Sequence, residues 1–107
     1  AVCDIEVRRG YPYLVNEPQT TAIARQAAIE YLGEENVVEL DLWPAAEDFS
    51  YYSQVANACF YRLGTGNRAK GIQSAVHTPS FDIDEQSLEL SIGLMAYIAI
   101  SRLSNTK

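Results

Sequence analysis

The chain of 107 residues has one histidine, His77, and two cysteines, Cys3 and Cys59. Two thiols so far apart in sequence make no disulfide framework. Each is expected to pack as a small buried apolar group in a strand. The sequence also lacks His-x-Asp, His-Glu-x-x-His and paired-cysteine motifs. Taken alone it therefore cannot assemble a good transition-metal site, which needs roughly three or four donors. Basic residues are scarce and scattered, 8 Lys and Arg against 14 Asp and Glu, for a net charge of −6. The pair Arg8-Arg9 is too short to form a patch, so neither nucleic acid nor an anionic membrane is expected as a partner. The longest apolar run, within Ile92 to Ile100, falls far below the ~20 residues that span a bilayer. With no signal-peptide pattern, the default compartment is the cytoplasm. A start at Ala1 fits both a native start after Met removal and a cut inside a longer protein.

Other absences remove specific chemistries. Ser74 or Ser80 could be written into a triad with His77 and Asp82 or Asp84, but no Gly-x-Ser-x-Gly elbow is present. Gly64-Thr65-Gly66 lacks the third glycine and the following helix of a dinucleotide fingerprint. Phe49, Tyr51 and Tyr52 in so acidic a chain read as core and pocket wall rather than as a base-stacking platform.

What is present is the pattern of one modest α/β domain, with 48% apolar residues. Val2–Arg8 alternates, Cys3, Ile5 and Val7 against Asp4, Glu6 and Arg8, which predicts a half-buried strand with one wet face. Arg9–Pro18 holds Gly10, Pro12, Asn16 and Pro18 and reads as an extended connector. Gln19–Gly33 is alanine-rich, with Ile23, Ala27 and Tyr31 on one stripe, and predicts a helix stopped by Gly33. Strands are predicted over Val37–Trp43 and Ala58–Gly64, a short helix over Ala46–Val55 and a loop over Thr65–Gly71. Glu85–Leu103 predicts a long helix capped by Asp84. That helix is apolar nearly all round, which predicts burial on more than one side. The order is β-α-β-α-β-loop-α, with a boundary near Leu14 to Asn16.

His77 is the first candidate for chemistry, because neutral imidazole serves both as metal ligand and as general base. An isolated histidine is more often an ordinary loop residue. Here Pro79 restricts Thr78 to extended geometry and Asp84 caps the next helix, so the connection is short and stiff. Glu47-Asp48 is an acidic pair. From the residues alone it reads as a helix-start pair favoured by the dipole, ahead of metal ligation or general-base work.

Four stretches in order, "GYPYLVNEP", "AEDFSYYSQ", "CFYRLGTGN" and "VHTPSFDIDEQSLELSIGLMAYIAI", resemble the C-terminal end of the aminoacylase and carboxypeptidase metallohydrolases. The resemblance is strongest to the N-acyl-L-amino acid amidohydrolases, such as hippurate hydrolases and indole-acetyl-amino-acid hydrolases. It implies the C-terminal part of a three-layer α/β/α catalytic domain over residues 15–107. Residues 1–14 would be the last strand of an inserted lid or dimerisation domain. It implies two divalent metals per active site, Zn or Mn, and hydrolysis of N-acyl amino acids or related peptide-like amides by a metal-activated water. His77 matches the His of a His-[Ser/Thr]-Pro-x-Phe metal-ligand motif. Glu47 and Asp48 match a Glu-Asp-Phe motif near the active site and are carried over as pocket groups or supports for the ligands. Asn16, Gly64 and Gly66 match positions close to the substrate cleft. "VANACF" departs from the usual Val-Pro-Gly before the Cys-Phe strand, a change of turn. The expected general base and remaining ligands are not in this stretch, so the chain reads as a fragment that is inactive alone and self-associates into a homo-oligomer through its apolar faces. The alternative is a stand-alone α/β binding or dimerisation module.

Overall fold

The structure, a computed structural model, describes residues 1–104 of the chain. Residues 105–107, the end of the expected catalytic segment, lie outside the described residues.

Helix α1, Pro18–Leu32, begins where its cap chemistry dictates. The Glu17 carboxylate accepts from the backbone N–H of Gln19 at 3.0 Å and of Thr20 at 2.7 Å. Pro18 occupies the first turn, where its missing N–H costs nothing. The helix stops at Gly33, whose φ of 91° is open to glycine at little cost and whose N–H returns to the Ile29 carbonyl at 2.8 Å. Both ends fall within one residue of the expectation. Helix α2 is a single turn, Ser50–Ser53, the core of the longer helix expected over Ala46–Val55. Helix α3 runs Gln86–Ser104, with Asp84 Oδ1 accepting from the Gln86 N–H at 3.3 Å.

α1 and α3 pack against each other. Small residues on α1, Ala24 and Ala27, let the helices approach and bury Leu94 of α3 to 3% exposure. A side chain at Gly93 would run into the Tyr31 ring, so glycine is what lets that ring lie against α3. Tyr31 and Tyr97 have ring centroids 5.7 Å apart. The Tyr97 hydroxyl donates across the pair to Glu30 Oε2 at 3.0 Å, while Gln26 Nε2 donates to Glu30 Oε1 at 2.9 Å. These two bonds hold the Glu30 carboxyl below its ordinary range, and the carboxylate raises the Tyr97 phenol above its own.

The sheet half of the α/β expectation does not form among the described residues. Val2–Arg8, Val37–Trp43 and Ala58–Gly64 carry no strand, and an isolated antiparallel bridge joins Asn67 to Ile72. A strand needs a neighbour to take its N–H and C=O groups. These three segments do not pair with one another. Val2 and Leu42 are fully open to solvent. Cys3 is exposed and Cys59 half-buried, so the buried-cysteine expectation fails for Cys3, whose strand is absent. The radius of gyration is 17.7 Å, against roughly 13 Å for a compact domain of about 100 residues.

α3 uses one face. Leu94 is buried, while Ile92 and Leu103 stay 73% and 76% exposed. In the 107-residue chain, Leu94→Ala should therefore cost about 2 kcal/mol or more, and Ile92→Ala no more than about 0.5 kcal/mol. Urea unfolding followed by helical circular dichroism measures both. Equal losses would place the core elsewhere.

Candidate functional site

The segment from Thr65 to Asp84 closes on itself in two tiers. At the base, the Asp84 N–H donates to the Thr65 carbonyl at 2.8 Å. The Asp84 carboxylate accepts from Asn67 Nδ2 at 2.6 Å on one oxygen and from Lys70 Nζ at 2.7 Å on the other. Asn67 is itself fixed. Its Oδ1 accepts from the N–H groups of Ala69 and Lys70, and its backbone pairs with Ile72 in both directions. Gly71, at φ 75°, makes the left-handed turn this hairpin needs. Higher up, Ser74 Oγ and Ser80 Oγ lie 2.9 Å apart. The Thr78 hydroxyl donates to the Ala75 carbonyl at 2.7 Å, and the Phe81 N–H donates to the Thr78 carbonyl at 3.1 Å.

His77 sits between these closures, exposed, with φ 63°. It is the one non-glycine residue with positive φ among those described. Histidine tolerates this conformation better than most residues, yet it persists only where the surroundings hold it. Its imidazole makes no hydrogen bond or ion pair within the described residues. Side-chain hydrogen bonds, besides Pro79, close the connection that the sequence predicted to be stiff.

The other candidates make no hydrogen bond or ion pair with His77 among the described residues. Asn16 is committed to backbone. Its Nδ2 donates to the Phe60 carbonyl at 2.9 Å, and its Oδ1 accepts from the Phe60 N–H at 2.7 Å. The Glu17 N–H adds a bond to the Ala58 carbonyl at 2.9 Å. Glu47 Oε1 accepts from the Phe49 N–H at 3.1 Å, capping the turn that leads into α2, and Asp48 is exposed. The Phe49 and Phe60 rings, 5.4 Å apart, bring Asn16 and Glu47 into one patch. Gly64 is open, and a side chain at Gly66 would press on the Ile72 carbonyl at 3.2 Å. Gly66 lines a shallow cleft of about 310 Å³ with Arg68, Ile72 and Gln73. An apolar groove of about 270 Å³ lies among Ile23, Phe49, Cys59, Tyr61 and Met95. His77 lines neither. No hydrogen bond or ion pair among the described residues joins His77 to Asn16, Glu47 or Asp48.

Asn67, Lys70 and the second role of Asp84 escape a reading by residue pattern. An Asn four residues before a Gly in a polar loop signals a turn, but nothing in the spacing from Asn67 to Asp84 announces their contact. No group of three or more His, Cys, Asp and Glu among the described residues could hold a metal ion. One free imidazole fits a single place in a divalent-metal shell and does not by itself bind such an ion.

A model of peptidase family M20/M25/M40 matches residues 2–101. An IAA-amino acid hydrolase of Arabidopsis thaliana, ILR1-like 6, is 33% identical over 89 residues, 83% of this chain and 19% of that protein. A second from the same plant, ILR1-like 4, is 30% identical over 97 residues, 91% of this chain and 22% of that protein. A putative glutamate–cysteine ligase 2-3 of Rhodococcus jostii is 28% identical over 102 residues, 95% of this chain and 12% of that protein. The chain thus spans about a fifth of the two plant proteins and about an eighth of the third. No solved structure matches.

The loop base carries its own pH signature. Hydrogen bonds from Lys70 and then Asn67 lower the Asp84 carboxyl from 3.8 to about 2. A carboxylate lowered on folding stabilises fully above its unfolded value, and that stabilisation is lost as pH falls through the folded value. Between about pH 4 and pH 2, unfolding midpoints of the parent chain should therefore drop more steeply than those of Asp84→Asn. Parallel slopes would show that Asp84 is not held as described.

Proposed function

The chain belongs to peptidase family M20/M25/M40, and from that premise we propose that it is the C-terminal portion of a metal-dependent hydrolase that cleaves the amide bond of N-acyl-L-amino acids. The observation that carries this reading is His77, an exposed and uncommitted imidazole held at positive φ on a doubly closed loop. That is the state required of a ligand presented to a centre whose other donors lie outside the described residues. The names of the two plant relatives, IAA-amino acid hydrolases, favour an amino acid conjugated through an amide as the substrate class. The ligase overlaps by only an eighth of its length, and its name is not carried across.

In this reading residues 1–14 belong to a lid and residues 15–107 to the catalytic domain. The bare segments 37–43 and 58–64 then pair as strands within a three-layer α/β/α domain. The exposed flank of α3, with Ile92 and Leu103, supports it, because a burial face of that size has no use on an isolated module. Asn16 and Glu47 are assigned to shaping the wall around Phe49 and Phe60 rather than to the reaction. The described residues do not hold a metal by themselves.

The test uses the full-length protein with added Mn²⁺ or Zn²⁺ and a panel of N-acetyl and N-benzoyl amino acids. Hydrolysis is expected, and His77→Ala should lower kcat/KM by at least the roughly 10- to 100-fold that loss of a supporting partner costs a metal site. Unchanged turnover in that variant would remove His77 from the site.

A further inference from the structure

We propose that Asp84 is the positioning residue for His77, through a latch in which Asn67 and Lys70 grip its carboxylate and fix the base of the loop that presents the imidazole. The inference rests on the reading of His77 as a functional group. It adds Asn67 and Lys70, which the sequence reading did not single out, and gives Asp84 a role beyond the helix cap.

Three features of the geometry support the latch. First, Asp84 is 8% exposed and both its oxygens are engaged, so it is a fixed point rather than a surface charge. Second, it joins three elements at once: the first turn of α3 through Gln86, the Asn67–Ile72 hairpin through Asn67 and Lys70, and the chain at Thr65 through its own N–H. α3 is packed on α1, so the loop base is referred to the helical core. Third, the hydrogen bonds of residues 73–83 are internal to the segment, Ser74 to Ser80, Thr78 to Ala75 and Phe81 to Thr78 among them. The Ser74–Ser80 contact is itself exposed, and with the base released it cannot alone hold His77 at φ 63°. A displacement of about 1 Å at a reacting or ligating group costs on the order of 100-fold in rate, so the latch belongs to function as well as to stability.

The experiment compares Asp84→Ala, Asp84→Asn, Lys70→Met and His77→Ala in the full-length protein. It measures kcat and KM on an N-acyl amino acid, together with hydrogen exchange of residues 73–83 and of α1 by mass spectrometry. Asp84→Ala should speed exchange over 73–83 and leave α1 unchanged, as expected of local opening. Its kcat should fall roughly 10- to 100-fold with KM altered less than about threefold. Asp84→Asn, which keeps an oxygen for the helix cap, and Lys70→Met should show the same pattern to a smaller degree. They decide the matter if Asp84→Ala fails to fold. Full kcat in the Asp84 and Lys70 variants, beside a lost activity in His77→Ala, would overturn the latch and leave the functional reading intact. Unaltered exchange over 73–83 would also overturn it. Full activity in His77→Ala would overturn the functional reading and the latch together.

Discussion

Asp84 stands at the start of α3 and at the base of the His77 loop, and one carboxylate serves both places. Its cap sets where α3 begins. Its bonds to Asn67 and Lys70 set where the preceding hairpin lies relative to that helix. A helix cap is worth about 1 kcal/mol in general. The larger consequence here is geometric, because the loop's frame of reference becomes the α1–α3 pair. Ala24, Ala27 and Leu94 hold that pair together, and Gly93 makes room for Tyr31. A line of supports therefore runs from a small helical core, through one acid, to one imidazole.

The helices were legible because their signals are local. Pro18 and Gly33 bound α1, and Asp84 marks the start of α3, through interactions within a few residues of each end. The strands were legible as patterns, and among the described residues they did not become strands. Alternation in Val2–Arg8 states which face would be buried, but the pairing partner is a long-range fact that the segment does not contain. The same distinction runs through the site. His77 stood out because it is the lone histidine beside a Thr-Pro, and the structure places it at positive φ in a closed loop. Asn16 and Glu47 carry motif resemblance, yet their side chains are taken up by the backbone of Phe60 and Phe49. Lys70 was invisible, since an isolated lysine in a polar loop has many uses and its contact lies fourteen positions away.

The surface has the same incompleteness as the site. Residues 37–43 leave Val38, Leu40 and Leu42 in water, and the outer flank of α3 leaves Ile92, Ile100 and Leu103 there. Apolar area of this extent is stabilised by being covered, at roughly 25 cal/mol per Å² removed from water. Membership of peptidase family M20/M25/M40, together with a match that spans about a fifth of two hydrolase relatives, gives that exposure a meaning. In the proposed reading, the exposed faces and the uncommitted imidazole have one origin, as groups whose partners lie on other parts of a larger hydrolase.

The most direct measurement is the Zn²⁺ stoichiometry and affinity of the purified 107-residue chain, determined by competition with a chromophoric chelator. One imidazole without companions should bind Zn²⁺ no more tightly than a free histidine side chain, leaving well under one equivalent after buffer exchange. Retention of a full equivalent, lost on His77→Ala, would contradict the account, because the chain would then complete by itself a site that its described residues do not build.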